Sequence, residues 1–168
     1  AAQVEETQVE AVTGVSVDIP RGIYDSPFDL TLSTDVVGAE IVYTTDGSEP
    51  TRDNGTAISN QGADDATTAI IRIEETTALR VSAIKNDFLS ADVETHTYLF
   101  LNDIALQTAQ ATIDAGLPET WGERTPDYGL DPNIIGPNDQ HDGLYANQFV
   151  DSLKSIPSMS IVMSNDHL

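Results

Sequence analysis

Apolar and polar residues alternate in short bursts along the first hundred positions. Val15, Val17 and Ile19 share one face of an extended segment that Pro20 closes. After Pro27, Phe28, Leu30 and Leu32 alternate with Asp29, Thr31 and Ser33. Ile41 and Tyr43 then oppose Val42 and Thr44, the two-residue period of a half-buried strand. A long polar loop over 46–66 follows, with a short edge strand expected around Ala57 and Ile58. Further strands are expected near 68–74, with Ile71 and Ile73 inward, near 78–85 through Leu79, Val81 and Ala83, and near 92–100. Short strands at this spacing, separated by turn residues, predict a mainly β fold: an immunoglobulin-like antiparallel β-sandwich.

The texture changes on either side of that block. Residues 1–13 carry three Glu and no basic residue, which reads as a flexible leader before a sandwich at 14–100. Beyond Phe100, Asp103 is placed to cap a helix over 104–111. A loop punctuated by Gly and Pro holds Trp121, and Tyr145, Phe149, Leu153 and Ile156 recur at helical spacing until Pro157 stops them. Met159, Ile161 and Met163 alternate as a terminal strand would. Residues 101–168 thus read as an irregular, partly helical extension with too few apolar positions for a core of its own. It must dock on the sandwich, open a following domain, or pair with another chain.

Charge narrows the partners. The chain has 28 acidic and 7 basic residues, a net charge of −21. Such a surface repels phosphate backbones and anionic membranes, so nucleic acid is not expected as a partner. It suits solubility, hard cations and salty surroundings, and its plainest reading is a solvated acidic coat. There is no cysteine, hence no disulfide or thiolate chemistry. No run approaches the ~20 apolar residues of a membrane span. Residues 1–6 lack the basic and apolar regions of a signal peptide, which fits a cleaved terminus and an arbitrary boundary alike.

Candidate chemistry is sparse. Asp46, Glu49, Asp53 and Asn54 offer hard oxygen ligands within nine residues, a set that a structural calcium ion would accept. The set lacks the alternate spacing and distal Glu of the twelve-residue calcium loop, and a solvated turn is the simpler alternative. Asp127, Asp131, Asp139 and Asp142 form a weaker second set. Carboxylate pairs could serve acid–base work, yet 28 acids produce pairs by chance. His96 alternates with Tyr98 and Phe100 as a packed or rim histidine, and His141 and His167 stand in polar contexts. No metal-binding histidine pair, suitably ordered catalytic triad or phosphate loop is present, so an enzyme is not expected. Trp121, with Tyr128 and Tyr145 nearby, is either a glycan-stacking platform or a packing anchor that pins the extension. Asn54-Gly55-Thr56 is a glycosylation sequon, relevant only where the source attaches N-glycans.

The strand and turn Tyr43-Thr44-Thr45-Asp46-Gly47-Ser48-Glu49-Pro50-Thr51 carry a resemblance. Residues 28–33 with Gly38 precede them, and Ala78-Leu79-Arg80-Val81-Ser82-Ala83 follows. Together, over roughly residues 15–100, they resemble the sandwich domain at the carboxyl end of chitobiases and β-hexosaminidases. They are also similar to fibronectin-III-associated repeats of large exported bacterial proteins. Residues 101–104, Leu117-Pro118, Trp121-Gly122 and Asp127-Tyr128-Gly129-Leu130-Asp131-Pro132 resemble a linker in such proteins. There the linker leads into a segment like residues 153–162, which opens a domain similar to spore-coat kinases. That family's kinase motifs and the hydrolase barrel are both missing, so neither activity carries over.

The resemblance implies a non-catalytic, extracellular or cell-surface module, a spacer or adhesion domain of a secreted multidomain protein. Its expected partners are other domains of the parent protein or neighbouring copies. Two alternatives stand beside it: a filament or surface-layer subunit assembled by strand addition, and a carbohydrate-binding module using Trp121.

Overall fold

The computed structural model describes residues 12–59, 66–88, 90–135, 143 and 145–163. Most of the expected leader, residues 1–11, lies outside the described residues. Among those described are strands β1 (Ser16–Val17), β2 (Gly22–Ile23), β3 (Phe28–Ser33), β4 (Glu40–Thr44), β5 (Thr56–Ile58), β6 (Thr68–Ile73), β7 (Thr77–Ile84) and β8 (Glu94–Leu99). Helices α1 (Leu101–Ala105), α2 (Ala109–Asp114), α3 (Pro132–Ile135) and α4 (Ala146–Lys154) follow. Contacts divide the chain into two units. The first comprises Ala1–Arg21, Phe28–Ile73 and Thr77–Thr97, the second Gly22–Pro27, Glu74–Thr76 and Tyr98–Leu168.

The first unit is the expected sandwich. One sheet runs β1-β3-β6 and the other β8-β7-β4-β5. Successive strands switch sheets at β3 to β4, β5 to β6 and β6 to β7, so few pairings are between chain neighbours. The period-two residues face inward as their spacing requires: Leu30, Leu32, Ile71 and Ile73 from one sheet, Ile41, Leu79, Val81 and Ala83 from the other, all buried. Each fully buried Leu or Ile contributes about 2 kcal/mol relative to an exposed one. Val12 and Val15 are buried as well.

Two features depart from the sequence pattern. β1 spans two residues rather than the full alternation of Val15, Val17 and Ile19. Beyond Val17, Asp18 N–H donates to Thr31 O at 3.2 Å, while the Asp18 side chain takes the Thr31 N–H at 2.8 Å. A carboxylate thereby replaces the main-chain carbonyl and the ladder ends. β4, expected to be half-buried, hides Val42 on its outer face as completely as Ile41 on its inner one, and Thr44 beside it is buried too.

Returning loops account for that second burial. Thr44 Oγ1 donates to Ser48 O at 2.6 Å, and Gly47 N–H donates to Ala78 O at 2.9 Å, so the loop after β4 folds back and Pro50 becomes buried. From the other side Ser82 Oγ donates to Ala91 O at 2.8 Å, and Ala91 N–H to Ala83 O at 3.0 Å. Buried hydroxyls close the β3–β4 connection too: Thr67 Oγ1 donates to Ala39 O at 2.6 Å.

In the second unit β2 pairs in parallel with Tyr98 and Leu99 at the end of β8. Tyr24 and Tyr98 place their rings 5.8 Å apart. Thr76 Oγ1 both accepts from Phe100 N–H at 2.9 Å and donates to Phe100 O at 3.3 Å. Lys154 at the end of α4 reaches Asp25 at 2.9 Å.

The helix expected over 104–111 is broken in two. Thr108 interrupts it, its Oγ1 accepting from Ala111 N–H at 3.1 Å and starting α2. Asp103 lies inside α1 and accepts from Thr76 N–H at 3.0 Å instead of capping. The helix around Phe149 and Leu153 is present as α4, ending at Lys154 before Pro157. The expected terminal strand is absent from the described residues: Met159 and Ile161 are 86% and 73% exposed and pair with no neighbour in a sheet. An alternating segment becomes a strand only when another strand takes up its amides.

Candidate functional site

The turn after β4 concentrates the polar residues that drew attention in the sequence. Asp46 Oδ1 accepts twice from Ser48, from its N–H at 2.9 Å and from its hydroxyl at 2.6 Å. These bonds, the hydroxyl first, hold the Asp46 carboxyl below its ordinary value of 3.8. Asn54 Nδ2 donates to the same Ser48 Oγ at 3.0 Å and to Glu49 O at 2.7 Å. Thr51 and Asn54 exchange main-chain hydrogen bonds at 2.8 and 3.2 Å, and Asp53 N–H donates to Thr51 Oγ1 at 3.3 Å. Ser48 is therefore the bridge between the two ends of the loop. Its role is invisible in a search for ligand spacing, because a capping oxygen and a metal-binding oxygen are the same residue types.

Gly55 completes the turn. Its φ of +111° is a left-handed conformation, and a Cβ there would lie 2.6 Å from Tyr43 O. Of the four calcium candidates, Asp46 and Asn54 thus build the turn with their side chains, and Glu49 contributes its main-chain carbonyl. Asp53 enters through its main-chain N–H. Among the described residues no group of three or more His, Asp or Glu is gathered as a metal ion would require. In the second set, Asp131 Oδ1 accepts from Asn133 N–H and Nδ2 at 2.8 Å each, and Asp139 and Asp142 lie outside the described residues.

Among the described residues the turn itself lines a small open cleft of about 220 Å³, with Asp46, Ser48 and Asn54 on its surface, and two larger ones lie elsewhere on the first unit. One of them, of about 560 Å³, lies between the returning loops and is lined by Glu49, Arg52, Ser82, Ile84 and Asp92 among others. Arg52 is held by Glu40 at 3.3 Å. The other, of about 520 Å³, is lined by Asp18, Arg21, Glu94 and His96. His96 lines it with a side chain only 18% exposed, its Nε2 3.4 Å from Glu94 Oε2, and Asp18 is already engaged with Thr31, whose N–H lowers its carboxyl. The alternation of Glu94 and His96 on one strand face is the only trace of this groove in the sequence. His141 and His167 lie outside the described residues.

Trp121 lines none of these clefts. It is 55% exposed and meets Tyr128 edge-on, with centroids 6.4 Å apart at 73°. Its main chain exchanges hydrogen bonds with Arg124 around Gly122, and Tyr128 Oη donates to Pro118 O at 2.8 Å. The residue is held in a small local cluster with more than half of its surface exposed, so it is no buried anchor.

Against known proteins, residues 19–95 match the family model described as the chitobiase/beta-hexosaminidase C-terminal domain. The match runs from just before β2 into the start of β8 and contains the whole returning turn. That domain is an immunoglobulin-like module of multidomain proteins. No curated protein and no solved structure matches the chain. Among the described residues no helix is long and apolar enough to cross a membrane.

Proposed function

We propose that this chain provides a non-catalytic, extracellular spacer or adhesion module within a secreted or cell-surface multidomain bacterial protein. The family match over the sandwich carries the reading. The geometry of residues 46–55 supports it, because the side chains of Asp46, Ser48 and Asn54 spend their hydrogen bonds on holding a turn closed. The charge of −21 fits a solvated module that resists non-specific association. The test is a panel of chromogenic glycosides, β-N-acetylhexosaminides included, with the purified chain. No turnover is expected; hydrolysis that co-purifies with the chain would overturn the reading.

A second reading rests on Trp121, an exposed aromatic residue of the kind that stacks on sugar rings. With Tyr128 edge-on, the platform is a single ring. Retention on a neutral glycan that is lost in Trp121→Ala supports this reading, and a blank glycan array removes it. The exposed Met159, Ile161 and Met163 favour contact with another domain or a neighbouring copy, and size-exclusion chromatography at high concentration separates those cases.

A further inference from the structure

Asn54-Gly55 is the only place in the sequence where asparagine precedes glycine. Without a side chain, Gly55 leaves its amide nitrogen open to approach the preceding amide carbon. On losing its proton that nitrogen can attack Asn54 Cγ, expelling ammonia and closing a five-membered succinimide. Water then opens either carbonyl, giving aspartate or isoaspartate. The balance is one water consumed and one ammonia released.

The folded loop holds this pair in check. Nδ2, the group that must leave, is tied to Ser48 Oγ at 3.0 Å and Glu49 O at 2.7 Å. The main chain of Asn54 is fixed by its reciprocal bonds to Thr51. Backbone next to Gly55 is equally confined, since the glycine lies against Tyr43 O. Bringing Cγ onto the Gly55 nitrogen requires both side-chain bonds to break.

From this geometry we infer that Asn54 is a self-modification site gated by folding. It stays an amide while the turn is closed, converts when the turn opens, and once converted weakens the closed turn. The last step follows from the donors. Ser48 gives its hydroxyl proton to Asp46, and Glu49 O has none to give, so in the closed turn both partners take their donor from position 54. A carboxylate there meets two acceptors and the Asp53 and Asp46 charges. Isoaspartate adds a methylene to the main chain and displaces the Thr51 pairing. A module that has once opened is thereby marked, without any enzyme.

The experiment is peptide mapping by mass spectrometry of the full chain, held in mildly alkaline buffer with and without denaturing urea. Conversion at Asn54 is expected to be slower in the folded chain by about tenfold or more, as two hydrogen bonds must open first. Ser48→Ala, which removes one of them, raises the folded-state rate and leaves the rate in urea unchanged. Should that variant fail to fold, Asn54→Asp decides: it melts below the parent chain. Equal rates in buffer and urea, or an Asn54→Asp chain as stable as the parent, would overturn the inference.

Discussion

Ser48 gives both its main-chain N–H and its hydroxyl to a single oxygen, Oδ1 of Asp46, at 2.9 and 2.6 Å. The pair turns the chain out of β4 and back toward β7, where Gly47 N–H meets Ala78 O. Burial of Val42 and Thr44 depends on that return.

Asp46→Asn is therefore expected to lower stability at neutral pH by about 1 kcal/mol, the modest end for charge-assisted bonds at an exposed site. The carboxyl is lowered below 3.8 in the folded chain. Its contribution is thus fully present above that value and fades as the pH falls through the lower, folded one. Melting of the two chains across acidic pH should show the gap narrowing in that range. A gap constant with pH contradicts the assignment.

Removing a buried hydroxyl tests the other end of the sandwich. Thr67→Val keeps the shape but leaves Ala39 O without the 2.6 Å donor. A loss of about 1–3 kcal/mol in urea unfolding is expected, typical of an unsatisfied buried acceptor.

Much of the fold was legible because its period-two residues report directly on a buried face. Leu30 with Leu32, Ile71 with Ile73, and the Leu79-Val81-Ala83 row all point inward as their spacing implies. Features that depend on a side chain substituting for main chain were not legible. Asp18 ends β1 and Thr108 splits the expected helix through bonds that compete with regular structure, and no periodicity records such competition. Met159, Ile161 and Met163 alternate as a strand does, yet a strand needs a second strand, which a local pattern does not supply. At the turn, the residues Asp46 and Asn54 were visible, and the bridge through Ser48 was not.

Gly55→Ala should be among the most damaging single changes on the surface. The +111° φ and the 2.6 Å approach to Tyr43 O leave the backbone no room to adapt. A loss of about 2 kcal/mol or more is expected from combined strain and overlap, measured by chemical denaturation.

Trp121→Ala should behave oppositely. With 55% of the residue exposed and one edge contact to Tyr128, truncation removes about 1 kcal/mol or less. A large loss of stability would show that Trp121 supports more of the second unit than its exposure indicates.

Calcium bears most directly on the claim that residues 46–55 close a turn and do not hold a ligand. Thermal melting of the chain in chelator is compared with melting in millimolar calcium at matched ionic strength. The same melting temperature is expected in both. A rise that grows with calcium concentration, as binding to the folded state alone would produce, and that disappears in Asp46→Asn, would contradict it.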